Sequence, residues 1–301
     1  MPIVSVVIPT RDRAEVLRIA VSSVLAQTFR DLEIVVVDDA SRDATAEILR
    51  GFCDARLRVL RQPEPRGASV ARNLGIRHAG TPYVAFLDDD DEWLPEKLEA
   101  QVRLLDHASP EVGLVYTGYL VLERSSGRVT TQMVPSKDGD LSRALMVGNC
   151  LGGTSSVLIR RQCLDEVGLF DEDLPSFQDY DLWIRIARRY RIAHVAKPLM
   201  KYYLHDHKIS TNAEAVMRGA EMMIGKYGDS SSFRWMIARR YVTVAFDLLA
   251  AGDVRRGRSA LRRAIRLSPV NPRAYYHLVR SFLRRKHLAS SLPLSTTARK
   301  V

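Results

Sequence analysis

The chain has 301 residues, of which 46% are hydrophobic and 27% are charged, enough for one large α/β domain with a smaller appendage. No run approaches the roughly 18 to 20 apolar residues of a membrane-spanning helix, and no signal-peptide pattern precedes the first apolar segment. We therefore expect a cytoplasmic location. The three cysteines are widely spaced and form no CxxC pair, which argues against a zinc site or a disulfide framework.

The net charge of +10 is unevenly distributed along the chain. Residues 217–301 carry 18 Lys and Arg against 4 Asp and Glu, a net charge of +14, whereas the remaining residues carry 27 against 31, a net charge of −4. A basic surface of this kind binds anionic lipid, nucleic acid or an anionic polymer, or is simply a solvated arginine-rich surface. We expect peripheral contact with the inner face of an anionic membrane, and no nucleic-acid partner.

The first third of the chain alternates between strand and helix patterns. Apolar, β-branched runs predict strands at 3–8, 33–37, 56–61 and 83–87, and helical spacing predicts helices at 14–26, 43–52 and 68–79. This alternation predicts an α/β fold with a mostly parallel sheet that has helices on both faces. Ligands bind such sheets beyond the carboxyl ends of the strands.

The rest of the chain is less regular. Strands are predicted at 112–123, 155–160 and in pieces of 193–203, and helices at 181–190, 233–251, 254–267 and 272–285. Residues 248–278 resemble a tetratricopeptide-type helical hairpin. We expect a catalytic domain at 1–213, a basic helical extension at 214–288 and a disordered tail at 289–301.

Four consecutive aspartates, Asp88–Asp91, follow the predicted strand 83–87. Carboxylates at the end of a buried strand are costly unless they are neutralised, and a divalent cation that bridges a diphosphate would neutralise them. Mg²⁺ and Mn²⁺ prefer oxygen ligands of this kind. The alternative is an exposed acidic cap for the helix predicted from Pro95 to Leu105.

Further polar residues allow two interpretations each. Asp39 follows the strand 33–37 and suits either a ribose or base contact or a turn. Arg72 suits either a phosphate contact or a structural ion pair. Asp179 and Asp181 precede a helix, so each could cap it or act as a general base. His205 is close to a second histidine, a pattern that suits metal or phosphate contact as well as an ordinary surface position.

Taken together, these segments resemble glycosyltransferase family 2, whose members have the GT-A fold. The resemblance covers about residues 3–212 and is carried by SVVIPTRDR (5–13), SVLAQTFRDLEIVVVDDAS (23–41), GASVARNLGI (67–76), YVAFLDDDDEWLPEKL (83–98), VGLFDEDLPSFQDYDLWIR (167–185) and YYLHDHKIS (202–210).

The resemblance implies a nucleotide site at the start of the chain. Pro9, Thr10 and Arg13 would border the nucleotide, and Asp39 would contact its base, commonly uracil. Asp89 would lie near the donor ribose or sugar.

The resemblance also implies how a sugar would be transferred. Asp88 and Asp90 would be the outer carboxylates of the DxD motif and would hold Mn²⁺ or Mg²⁺, with His205 as a further contact to the metal or diphosphate. Asp179 would be the catalytic base of a direct displacement that inverts the anomeric carbon. The donor would be a nucleotide sugar, most simply a UDP-sugar, and the acceptor is left open.

Position 178 departs from the family pattern, because Gln178 occupies the place of the usual Glu. Because Asp179, the base, is kept, we expect the loss of the Glu carboxylate to affect the positioning of the acceptor. We take Gln178 and Trp183 as acceptor-side candidates. Two other classes of protein are alternatives. One is a nucleotidyltransferase, although the glycine-rich loop of that class is missing after Ile8. The other is a non-catalytic protein that binds a nucleotide or polymer.

Overall fold

The computed structural model describes residues 2–204 and 212–283. The described chain divides into two compact units, one of residues 2–142, 150–172 and 178–204, the other of residues 143–149, 173–177 and 212–283. The predicted domain division at residues 213 and 214 stays a proposal, and the tail 289–301 lies outside the described residues. In the part of the chain that the structure describes, every helix falls short of the length or the apolar character needed to cross a bilayer.

The first unit contains a nine-stranded sheet. Its strands are β1 Val4–Thr10, β2 Leu32–Asp38, β3 Leu57–Arg61, β4 Tyr83–Phe86, β5 Glu92–Trp93, β6 Val112–Glu123, β7 Val129–Met133, β8 Val157–Arg160 and β9 Arg191–Leu204. The spatial order is β3-β2-β1-β4-β8-β6-β9-β5, and β7 pairs with β6.

Helices alternate with these strands and then follow them. They are α1 Ala14–Leu25, α2 Thr45–Arg50, α3 Ala68–His78, α4 Lys97–His107, α5 Ser142–Leu145, α6 Arg161–Val167, α7 Gln178–Ala187, α8 Ala213–Tyr227, α9 Ser231–Ala250, α10 Val254–Leu267 and α11 Pro272–Leu283.

The α/β fold is confirmed, and its parallel part is the part that the sequence pattern defined best. β1 pairs in parallel with β2 and β4, and β2 with β3. Every residue of β1 is buried, as expected for a parallel strand covered on both faces. The other side of the sheet is mixed, because β8 runs antiparallel between β4 and β6. This insertion brings the start of β8 beside the carboxyl end of β4.

The second unit contains a helical hairpin formed by α9 and α10. Gly252, with a φ of 84°, allows the turn between them, and the Asp253 carboxylate accepts a hydrogen bond from the Arg256 amide to cap α10. A Cβ on Gly257 would lie 2.7 Å from Cγ of Leu249, so the two helices approach closely at this point.

Gly75 sets the spacing between α3 and the sheet. A Cβ added at this position would lie 2.3 Å from Cγ1 of Val7, a fully buried residue of β1. We predict that Gly75→Ala lowers the free energy of unfolding by about 1 to 3 kcal/mol, because the close packing outweighs the gain in helix propensity.

Gly225 of α8 provides a matched control, because a Cβ there has nothing within 4 Å. Gly225→Ala should stabilise the protein by about 0.5 to 1 kcal/mol. Urea denaturation followed by circular dichroism measures both effects. Equal stabilisation by the two substitutions would contradict the proposed close packing of α3.

Candidate active site

Three of the four aspartates that follow β4 bring their side chains close together. One side-chain oxygen from each of Asp88, Asp90 and Asp91 lies within 4.8 Å of the others, close enough to share a cation. Asp91 is buried, whereas Asp88 and Asp90 are partly exposed. The sequence predicted Asp88 and Asp90 for this role, and the structure adds Asp91.

Asp89 turns away from this acidic triad. Its carboxylate accepts a hydrogen bond of 2.8 Å from the Thr10 hydroxyl and one of 3.0 Å from Nη1 of Arg13. The same Arg13 nitrogen lies 3.0 Å from Oδ2 of Asp90. Burial raises the pKa of Asp89 to about 6, although Arg13 and Thr10 oppose this effect. Thr10 and Arg13 thus orient the aspartates, and their predicted contact with a nucleotide stays a prediction.

A single 3₁₀ turn, Thr154–Ser156, holds two members of the acidic triad. The Thr154 hydroxyl donates to Oδ1 of Asp88 at 2.8 Å, and the Ser155 hydroxyl donates to Oδ2 of Asp91 at 2.6 Å. The hydroxyl oxygen of Ser155 also accepts a hydrogen bond from the Asp88 backbone amide. Sequence reasoning missed both residues. The only available signal was a short hydroxyl-rich run before a strand, and that run is common in turns.

Tyr202 of β9 is a third residue that sequence reasoning missed. Burial raises the pKa of its phenol, and the charges of Asp91, Asp90 and Asp88 raise it further. Its ring centroid lies 5.9 Å from that of Tyr119 on β6. The phenol of Tyr202 therefore lies within electrostatic range of the acidic triad and stays protonated at neutral pH.

Arg72 lies in a structural ion pair, one of the two roles open to it from the sequence. Its Nη2 is 2.6 Å from Oδ1 of Asp88, and its guanidinium lies 5.5 Å from the centroid of the Phe170 ring. Its buried Nε has no hydrogen-bond partner within the described residues. The predicted contact of Arg72 with a nucleotide stays a prediction.

Asp179 lies in the first turn of α7, where its Oδ1 accepts a hydrogen bond from the Tyr180 amide at 2.8 Å. Burial raises the pKa of Asp179 to about 6. The charge of Arg72 opposes this shift, and that of Asp88 adds to it, so Asp179 is electrostatically linked to the acidic triad. A carboxylate with a pKa near 6 is suited to take up a proton near neutral pH.

Asp39 fastens the loop before α3 to the end of β2. Its carboxylate accepts hydrogen bonds from the backbone amides of Arg66 and Gly67, at 2.7 and 2.9 Å, and from the side chain of Gln62 at 2.7 Å. Asp39 is only 4% exposed, and Pro9, which pairs with Val37 of β2, is buried. The predicted contacts of these two residues with a base and a nucleotide stay predictions.

The backbone adopts left-handed conformations next to three of the predicted site residues. Among the described residues other than glycine, a positive φ occurs at Asp12 (52°), Ala40 (59°) and Phe177 (67°). These residues adjoin Arg13, Asp39 and Gln178, respectively. Such conformations cost of order 1 to 3 kcal/mol each and concentrate at functional sites.

The two acceptor-side candidates lie in different environments. Gln178 begins α7 and is partly exposed, whereas Trp183 is completely buried and its Nε1 donates to the Gly152 carbonyl at 3.3 Å. The predicted contacts of these two residues with an acceptor stay predictions. The predicted metal contact of His205 lies outside the described residues.

Comparison with known proteins identifies the class of this fold and site. The family model "Glycosyl transferase family 2" matches residues 5–166. An uncharacterised glycosyltransferase of Rickettsia typhi is 31% identical over 216 residues, which cover 70% of this chain and 67% of that protein.

Two further proteins extend the comparison. The UDP-Glc:α-D-GlcNAc-diphosphoundecaprenol β-1,3-glucosyltransferase WfgD of Escherichia coli is 27% identical over 81% of this chain and 96% of its own. A mannosyltransferase of Pyrobaculum calidifontis, solved with GDP-Man and Mn²⁺, superposes with a TM-score of 0.59 at 21% identity, over 94% of this chain and 80% of its own.

The α/β sheet, with acidic residues beyond the carboxyl end of a central strand, is therefore that of a GT-A transferase. The chain belongs to glycosyltransferase family 2 and is a glycosyltransferase. This assignment displaces the nucleotidyltransferase and the non-catalytic binding protein as alternatives.

Ser155 provides a test of the acidic triad. We predict that Ser155→Ala weakens the binding of Mn²⁺ by roughly tenfold or more, because residues that orient ligating carboxylates contribute affinity on this scale. Ser126→Ala, in an exposed turn after β6, is the matched control. Isothermal titration with MnCl₂ measures both variants, and equal affinities would show that Ser155 does not orient a metal ligand.

Proposed function

We propose that this protein transfers a sugar from a UDP-sugar to an acceptor hydroxyl with inversion at the anomeric carbon, with a divalent metal at the acidic triad. The observation that carries the proposal is the convergence of Asp88, Asp90 and Asp91 at the end of β4. Arg72 and Asp179 both interact with Asp88, a member of this triad.

The acidic triad has the donor chemistry of a magnesium or manganese site. Three carboxylate oxygens within 4.8 Å of one another leave further coordination positions for phosphate and water. Asp88, Asp90 and Asp91 would hold the ion, and the contact predicted for His205 stays a prediction. When bound, Mn²⁺ or Mg²⁺ would neutralise charge on the departing diphosphate. The Mn²⁺ complex of the Pyrobaculum mannosyltransferase supports this assignment.

Asp179 would serve as the general base. Its carboxylate would remove the proton from the acceptor hydroxyl while the acceptor oxygen bonds to the anomeric carbon. The bond from that carbon to the diphosphate oxygen would break on the opposite side, and UDP would leave. One displacement of this kind inverts the anomeric carbon and requires no covalent intermediate.

The donor and acceptor classes are inferred from a relative. WfgD of E. coli is named for UDP-Glc and for an acceptor linked to diphosphoundecaprenol. We extend UDP to this chain in preference to the GDP of the Pyrobaculum complex, because the aligned residues are 27% identical to WfgD and 21% identical to the Pyrobaculum enzyme. A sugar hydroxyl on a lipid diphosphate is the corresponding acceptor class, and Gln178 would contact it at the start of α7.

A donor panel tests the proposed reaction. The protein is incubated with UDP- and GDP-sugars, a GlcNAc-diphosphate-lipid acceptor and MnCl₂ or EDTA, and nucleotide release is measured. We expect metal-dependent release of UDP, and NMR of the product should show inversion. Release that is insensitive to EDTA, or a retained configuration, would contradict the proposal.

Asp179→Asn tests the base separately from donor binding. We predict that kcat falls by about 10² to 10⁴, the usual contribution of a general base, while the affinity for UDP is unchanged. Asp31→Asn, which neutralises an exposed carboxylate before β2, is the control. Turnover by Asp179→Asn at the rate of this control would exclude Asp179 as the base.

The pH profile gives a second prediction for Asp179. Because its pKa is raised to about 6, the residue is protonated at lower pH and then has no capacity to accept a proton. We therefore expect kcat to be highest above pH 6 and to fall tenfold for each pH unit well below it. A profile that is flat between pH 5 and pH 7, about one unit either side of this pKa, would contradict the assignment.

A further inference from the structure

The last two helices of the second unit carry a large excess of positive charge. Residues 254–283 contain eight arginines and no aspartate or glutamate. Gly257, Ala260, Leu261, Ala264 and Leu267 form the buried side of α10. Arg255, Arg262 and Arg266 are exposed, and their spacing of seven and four residues places them together on the opposite side.

These three arginines differ from the others on α10. Arg263 forms an ion pair with Glu221, Arg256 forms one with Asp253, and Arg258 donates to the carbonyl of Ser281. Arg255, Arg262 and Arg266 have no acidic partner within the described residues. They are therefore available to anionic groups from outside the chain.

α11 carries an exposed apolar stripe. Tyr275, Tyr276, Val279 and Phe282 are between 44% and 59% exposed. Their spacing places them on one side of the helix, opposite the buried Ala274. Arg280 lies 6.0 Å from the Tyr276 ring and Arg258 lies 3.7 Å from the Phe282 ring. Val270, in the loop between the two helices, is 83% exposed.

We propose that α10 and α11 form a docking surface for a bilayer of anionic phospholipid. Arg255, Arg262 and Arg266 would bind lipid phosphates. The apolar stripe of α11 would enter the boundary between headgroups and acyl chains, where aromatic side chains with a polar edge are favoured. None of these residues belongs to the candidate active site, and docking of this kind does not depend on the identity of the sugar donor.

Two other occupants fit the surface less well. Val270 and Val279 are branched aliphatic residues, which do not stack on nucleic-acid bases but partition readily into a lipid interface. A second copy of the chain would bring two surfaces of the same positive charge together, and their repulsion would oppose association. Anionic lipid satisfies both the charge and the apolar stripe.

Vesicle flotation of the full chain tests this surface. We expect the protein to float with vesicles that contain phosphatidylglycerol and not with pure phosphatidylcholine vesicles, and added salt should weaken binding. Replacement of Arg255, Arg262 and Arg266 by Gln should lower partitioning by a factor on the order of 100. Replacement of Tyr276, Val279 and Phe282 by Ser should lower it by roughly tenfold or more.

Controls elsewhere on the chain match both triple variants. The charge control replaces Arg50, Arg58 and Arg103 by Gln, and the apolar control replaces Val59, Val129 and Val134 by Ser, all of them exposed residues of the first unit. Both controls should float like the unmodified chain. If a triple variant melts early, the single changes Arg262→Gln and Tyr276→Ser replace it, with an expected loss of about fivefold for Arg262→Gln.

Five results would overturn the proposal. Two concern the unmodified chain, which would fail to float with anionic vesicles or would float equally well with neutral ones. The third is that the triple variants bind vesicles as well as their controls do. The fourth is that the same arginines bind single-stranded nucleic acid more tightly than they bind the vesicles. The fifth is a dimer, seen by light scattering and dissociated by the α11 variant, which would identify a second copy as the occupant.

Discussion

The separation of four adjacent negative charges is the constraint on which the rest of the site depends. Asp88–Asp91 follow a buried strand, where unpaired carboxylates destabilise the fold and repel one another. The fold resolves this by giving them different partners: Arg72 for Asp88, Arg13 for Asp89 and Asp90, and Ser155 for Asp91. These partners come from three separate regions of the chain, so the site forms only when the sheet has assembled around β4.

The sheet topology explains why these partners meet. β1 and β4 are parallel neighbours, so the residues that follow β1 lie at the same edge as the residues that follow β4. On the other side of β4, the antiparallel β8 begins at that edge, and the turn before it supplies Thr154 and Ser155. A parallel strand in the place of β8 would end at that edge and begin at the opposite one. The antiparallel direction of β8 is therefore what brings the turn before it, with Thr154 and Ser155, to the site.

Much of this arrangement could be predicted from the sequence, because it depends on local patterns. The buried parallel strands gave continuous apolar runs, and the polar residues directly after them, such as Asp39 and Asp88, were visible as candidates. The features that could not be predicted, β7 and the role of Ser155, arise from pairing between distant segments of the chain. β7 has an exposed, largely polar pattern, and Ser155 acquires its role only through β8. The complete burial of Trp183 could not be predicted either, because one aromatic residue on an amphipathic helix does not reveal which side it faces.

Metal-dependent binding of UDP can be measured without knowledge of the acceptor, because it depends on the acidic triad alone. In isothermal titration, we expect UDP to bind in the presence of Mn²⁺, and chelation of the metal or the substitution Asp90→Asn to weaken binding by roughly tenfold or more. The same affinity for UDP with Mn²⁺, with EDTA and in Asp90→Asn would contradict a metal-dependent transferase.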